Sequence, residues 1–114
     1  YKTNNNRTLA RILNILFAQI NTLDLQEKKF ILYGYGNLGR IIHTLYPENV
    51  LCIIDKNYEE LNKNYGSNQF YSNTILNTKN QEYILVTILG REDEIKEIIS
   101  TYIMDQSKIL TFVL

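Results

Sequence analysis

Along this chain the spacing of apolar positions changes several times, and each change marks an element. Residues 1–7 are polar, with Asn4-Asn5-Asn6 in a row, and are expected to fray. Thr8 stands where it can cap a helix. Leu9, Ile12, Leu13, Leu16, Ile20 and Leu23 then recur at helical steps, which predicts an amphipathic helix of about four turns. Ile15 and Phe17 lie off that stripe, so more than one face of the helix is apolar.

The period then shortens. Phe30-Ile31-Leu32-Tyr33 is a compact apolar run, read as a buried strand. Leu38, Ile41, Ile42 and Leu45 restore helical spacing from Asn37 onward, and Pro47 forces that helix to end near Tyr46. Val50-Leu51-Cys52-Ile53-Ile54 is a second buried strand, closed by Asp55. Residues 56–82 are weakly patterned and rich in Asn, which favours turns. Within them Tyr58 to Leu61 is expected to form a short helix and Gln69-Phe70-Tyr71 an edge strand. Tyr83 to Leu89 is a strong β run ended by Gly90. Glu92 to Met104 is helical, with Ile95, Ile98, Ile99 and Tyr102 on one face and three acidic residues in its first turn, where the helix dipole favours them. Lys108 to Leu114 reads as a last strand.

Strands alternating with helices predict an α/β fold: three layers, α/β/α, around a mainly parallel sheet, preceded by an extra helix. Residues 1–27 form that helical segment and residues 28–114 the α/β domain.

Composition narrows the function more than the fold. The 114 residues suit a single domain. Hydrophobic residues make up 45% and charged residues 21%, and the formal net charge is zero. A sequence-independent grip on nucleic acid needs a positive excess, so nucleic acid is not an expected partner. A lone Cys52 inside an apolar run allows neither an internal disulfide nor a cysteine metal cluster, and reads as a small core residue. The apolar runs fall short of the ~20 residues that span a bilayer, so no membrane insertion is expected. The chain opens on polar residues and on Tyr1 rather than Met, without a visible signal peptide. It is read as a fragment of a longer, cytoplasmic protein.

One motif carries chemistry. Gly34-Tyr35-Gly36-Asn37-Leu38-Gly39 is a GxGxxG that follows a predicted strand and opens a predicted helix, the context a dinucleotide loop requires. Gly34 allows the tight turn, Gly36 lets a pyrophosphate approach the backbone, and Gly39 lets helix and strand pack closely. The amides near Asn37 and Leu38 would then face phosphate at the helix N-terminus. Asp55 ends the second strand about 20 residues on, where a carboxylate accepts bonds from ribose hydroxyls. The same carboxylate repels a 2′-phosphate, which favours NAD over NADP, while Lys56 beside it pulls the other way. Asp55 has a second reading as a cap of the loop that follows it.

Other candidates flank this loop. Arg40 either reaches a phosphate or is a solvated helix residue. Gly90 and Arg91 follow the third main strand and are expected on the pocket rim, because ligands in open α/β sheets bind at the carboxyl edge. Tyr35 is placed to lean over a ligand. His43 is read as a packing or surface residue, and the nine tyrosines otherwise as structural.

From Lys29 to Leu114 the chain resembles the small Rossmann-type domains attached to bacterial sugar-modifying and methyltransferase enzymes. The resemblance rests on Ile31-Leu32-Tyr33-Gly34-Tyr35-Gly36-Asn37-Leu38-Gly39-Arg40, Ile53-Ile54-Asp55-Lys56-Asn57, Tyr83-Ile84-Leu85-Val86-Thr87 and Lys108-Ile109-Leu110-Thr111. It implies an accessory domain in which Gly34, Gly36, Gly39 and Asp55 contact a nucleotide or nucleotide-sugar, with the parent protein a transferase. The loop and Asp55 are also similar to the NAD-binding regulatory domains of potassium channels and transporters. Those have a longer stretch between the second and fourth strands, and here no Asp or Glu lies between Glu60 and Glu82.

Three functions follow as expectations. The first is a nucleotide-binding module, not catalytic alone, within a larger enzyme. The second is a fragment of an NAD-dependent oxidoreductase, whose acid–base residues would lie outside the first strand–helix–strand unit. The third is an empty scaffold used for assembly. For that, the apolar helix 8–23 is expected to pair in a homodimer or to dock on the rest of the parent chain.

Overall fold

The computed structural model describes residues 2–113. Helix α1 spans Lys2–Thr22, and a 3-10 turn at Leu25–Glu27 leads into strand β1, Phe30–Tyr33. Then come α2 (Asn37–Leu45), β2 (Val50–Ile54), α3 (Tyr58–Tyr65) and β3 (Phe70–Tyr71). A 3-10 turn at Asn73–Asn77 precedes β4 (Tyr83–Val86), α4 (Glu92–Ser100), another turn at Gln106–Lys108 and β5 (Ile109–Leu110).

All the strands pair in parallel, in the order β3-β2-β1-β4-β5. This is the Rossmann-like α/β arrangement. The chain starts in the middle of the sheet, winds outward through β2 and β3, then returns across β1 to place β4. Central β1 has neighbours on both sides, which explains its unbroken run of apolar residues: Phe30, Ile31, Leu32 and Tyr33 are all buried.

Alternation along the strands builds two cores. Phe30, Leu32, Ile53 and Leu85 face α1 and α2, where Leu16, Ile20, Leu38 and Ile42 meet them. Ile31, Tyr33, Cys52, Ile54, Ile84 and Val86 face the other way, onto Ile95 and Ile99 of α4 and onto Leu76. Each fully buried aliphatic or aromatic side chain contributes about 1.5–3 kcal/mol.

Several boundaries differ from the sequence reading. Helix α1 begins at Lys2, so Thr8 lies inside it and does not cap it. Tyr1 and Leu114, the ends of the expected frayed segment and last strand, lie outside the described residues. Helix α3 runs on to Tyr65, ended by Gly66 with φ +59. Strand β4 stops at Val86 rather than Leu89, because its partner β1 ends at Tyr33; the Thr87 amide makes the last bond, to the Tyr33 carbonyl, and Gly90 then bends the chain at φ +84. Helix α4 stops at Ser100, after which its last carbonyls are taken up by Thr101, Tyr102 and Ile103 in a tightening turn. Strand β5 is cut to two residues, paired with Ile84 and Leu85.

Candidate functional site

The glycine loop leaves β1 at its carboxyl end and enters α2 at Asn37. Its glycines answer different constraints. Gly34 holds φ +108, and a Cβ there would come within 2.6 Å of Ile88 Cγ1 and 3.0 Å of Thr87 Oγ1. A Cβ on Gly39 would collide with the Gly34 carbonyl oxygen. These two residues are thus explained by packing alone. Gly36 is not: its φ is −83, and a Cβ there would meet nothing. The open space beside Gly36 is room that a ligand atom can use.

The loop is braced from several sides. Tyr33 ends β1 with its amide ladder intact, and the Thr87 hydroxyl lies 2.8 Å from the Gly34 carbonyl and 3.1 Å from that of Tyr33. The Tyr35 amide donates to Asp55 Oδ2 at 2.9 Å, and the other carboxylate oxygen accepts the Asn57 amide at 2.8 Å. Asp55 therefore holds the glycine loop with one oxygen and caps the following turn with the other.

Tyr35 turns its ring into an aromatic cluster with Phe70, Tyr65 and His43, at centroid distances of 4.9, 5.9 and 5.6 Å. Its hydroxyl sits 2.8 Å from His43 Nδ1. Burial raises the Tyr35 pKa, aided by Tyr65, and burial lowers that of His43, so a neutral pair is favoured. The ring is thus held by Phe70, Tyr65 and His43 while Tyr35 also lines the cleft described next.

A cleft of about 640 Å³ opens at the carboxyl edge of the sheet, where the strand order reverses between β1 and β4. Its volume lies inside the roughly 300–1,000 Å³ range of small-molecule sites. Gly34, Tyr35 and Gly36 form one wall, and Asp55, Lys56 and Asn57 the next. Ser72 and Asn73 close the β3 side, while Arg91, Ile95 and Ile98 of the α4 side stand opposite. The lining is mixed, with Ile54, Ile88, Ile95 and Ile98 beside the polar groups.

Of the residues singled out in the sequence, Gly34, Tyr35, Gly36, Asp55, Lys56 and Arg91 are brought together at this cleft. Asn37, Leu38, Gly39, Arg40 and Gly90 are not among its lining residues. Leu38 is buried under α1, and Gly39 is packed on Gly34. Arg40 is exposed and donates to Asn37 Oδ1 at 2.6 Å. The Gly90 amide is taken by Glu92, and Arg91 forms an exposed ion pair with Glu94 at 2.7 Å. That pair raises the Arg91 pKa and lowers that of Glu94.

The sequence reading missed Tyr33, Ser72, Asn73 and Asn57. Tyr33 looked like a core strand residue, and it is one, but its hydroxyl end reaches the cleft. Burial pushes its pKa up, against the opposing pull of Asn73, so it stays a protonated donor. Ser72 and Asn73 fall in the unpatterned segment, and only their position after β3 could have flagged them.

The first amides of an α-helix have no intrahelical acceptor. No side chain caps those of α2, and its first turn carries no acidic residue. In α3 and α4 the first turn is acidic, with Glu59 and Glu60 in one and Glu92, Asp93 and Glu94 in the other. Among the described residues no cluster of His, Cys, Asp and Glu is arranged to hold a metal ion. Among the described residues no helix is long and apolar enough to cross a membrane. Cys52 is buried, and that burial raises its thiol pKa.

The class of protein defined to this point is a Rossmann-like α/β domain with a cleft at its switch point. No family model, curated protein or solved structure matches the chain.

Proposed function

We propose that this chain binds a nucleotide, either NAD or a nucleotide-sugar, in the cleft between the glycine loop and α4. It serves as a non-catalytic accessory domain of a larger enzyme, such as a sugar-modifying transferase or a methyltransferase. The observation that carries this reading is the cleft itself: it lies at the topological switch point, and it is walled by a glycine whose missing side chain no protein atom requires. The α2 N-terminus next to Gly36 offers amides and a favourable dipole to a phosphate. Lys56 adds positive charge at the rim, where Arg91 is already paired with Glu94. The remaining part of the parent chain is the natural partner, and α1 is the surface through which the domain associates.

A thermal-shift series with NAD(H), NADP(H), nucleotide-sugars and coenzyme A tests the ligand. A ligand held at a hundredfold its dissociation constant adds ~2.7 kcal/mol of stability. A shift with any nucleotide supports the reading; no shift with any of them at millimolar concentration overturns it.

A further inference from the structure

Tyr33 is the last residue of β1, and strand alternation turns its side chain to the α4 face of the sheet, into one cluster with Ile54, Val86 and Ile95. It is only 8% exposed, yet it lines the cleft. Packing at the end of a central strand needs no hydroxyl. Asn73 is the one side chain among the described residues that hydrogen-bonds to this one. Its contact lowers the Tyr33 pKa, the sign of an amide N–H donated to the phenol oxygen. Burial outweighs that pull and keeps the phenol protonated. The Tyr33 proton and the Asn73 carboxamide oxygen are then left for a ligand.

Arg91 is the ionised side chain whose charge reaches Tyr33, and Glu94 already pairs with it. The lining on this side is otherwise aliphatic, with Ile95 and Ile98 of α4. Gly36 and the uncapped amides of α2 stand across the cleft. The cleft therefore has two chemically different ends. One suits a phosphate; the other sets a neutral donor and a neutral acceptor beside an apolar wall.

We propose that Tyr33 and Asn73 read the base of the bound nucleotide, whose ring lies on Ile95 and Ile98 and whose phosphate lies at Gly36. The inference rests on the nucleotide reading of the cleft given above. A nucleobase meets both halves of this wall. Its flat faces can lie on aliphatic side chains, and its edge sets a hydrogen-bond acceptor beside a donor. A hexose carries hydroxyls around its whole ring, and one donor and one acceptor would leave most of them unpaired against isoleucine. Tyr33 is in this arrangement a specificity-determining residue: without its hydroxyl, an acceptor on the base is buried unsatisfied.

Calorimetric titration of the 114-residue chain with AMP, GMP, UMP, CMP, ribose 5-phosphate and glucose 1-phosphate tests this. The best-bound nucleotide should bind at least about tenfold tighter than ribose 5-phosphate. Tyr33→Phe and Asn73→Ala should each cut that preference about tenfold while leaving ribose 5-phosphate binding unchanged, which a general loosening of the fold would not do. If Tyr33→Phe loses its far-ultraviolet dichroism spectrum, Asn73→Ala carries the same comparison. Equal binding of the nucleotides and ribose 5-phosphate overturns the base reading and leaves a phosphate-binding cleft. A preference that survives both substitutions overturns the assignment to Tyr33 and Asn73. A loss confined to glucose 1-phosphate gives the pair to a sugar and overturns it as well. Only the absence of binding by every probe overturns the nucleotide reading together with this one.

Discussion

Asp55 at the end of β2 holds the amide of Tyr35 in the glycine loop, 2.9 Å from Oδ2. Two strands are thus tied at the point where the loop must keep its shape. The position that a nucleotide-binding fold reserves for a ribose acceptor here supports the loop itself. A carboxylate has about four lone-pair sites, so this bracing leaves Asp55 able to accept a ligand hydroxyl as well.

Removing the brace should loosen the loop. Asp55→Ala strips the acceptor from the amides of Tyr35 and Asn57 and should cost about 1–3 kcal/mol in urea unfolding. Asp55→Asn keeps one acceptor oxygen and should cost less. Faster hydrogen exchange at the Tyr35 amide in Asp55→Ala, with the amides of β4 unchanged, would place the loss in the loop. Equal stability of all three proteins would show that the brace is not formed.

The glycines separate fold from ligand. Gly39→Ala drives a methyl into the Gly34 carbonyl and should destabilise by about 1–3 kcal/mol, as overpacking does. Gly36→Ala meets open space at an ordinary φ, so its stability should stay within about 0.5 kcal/mol of the parent. Nucleotide binding should show the reverse pattern at Gly36. A fall in affinity with stability preserved, measured by calorimetric titration against denaturant unfolding, is the expected signature.

That contrast also shows what was legible in the sequence. The strand–loop–helix–strand order was readable because Phe30 to Tyr33 and Val50 to Ile54 are continuous apolar runs, with glycines and Pro47 as punctuation. The motif named Gly34, Tyr35 and Gly36, which wall one side of the cleft. The opposite wall was not legible, since Ser72 and Asn73 sit in a segment with no hydrophobic period, fixed by tertiary contacts. The aromatic packing of Tyr35 was illegible for a related reason. Its partners Phe70 and Tyr65 are distant in sequence, and only the fold brings their rings to Tyr35. The shortening of β4 arises likewise from its neighbour: β1 ends at Tyr33, so beyond the bond from the Thr87 amide to the Tyr33 carbonyl there is no strand left to pair with.

Thr87 gives a third test. Its buried hydroxyl is shared between the carbonyls of Gly34 and Tyr33, and its Oγ1 is also a close neighbour of both packed glycines. Thr87→Val keeps the shape and leaves those carbonyls without the donor, which should cost about 1–3 kcal/mol. Thr87→Ser retains the hydroxyl and should lose only the methyl packing, a smaller effect. Unfolding midpoints that rank Val above Ser would show that shape, and not the hydrogen bond, matters there.

The His43 imidazole predicts a pH dependence whose sign follows from its burial. Its pKa is lowered in the folded chain by desolvation, while in the unfolded chain it takes the ordinary value of about 6.5. Near the lower folded value the unfolded state binds more protons, so stability rises with pH through that window. The contribution is complete above about 6.5 and is lost as the pH falls towards the folded value. His43→Gln should flatten this slope, because the amide does not titrate yet can still accept the Tyr35 hydroxyl. Tyr35→Phe removes the hydroxyl but leaves the ring packed on Phe70, so it should lower stability by about 0.5–1.5 kcal/mol while keeping the slope. Denaturant unfolding of the three proteins between pH 5 and 8 separates the two effects. A slope that persists in His43→Gln would assign the titration to a carboxylate instead.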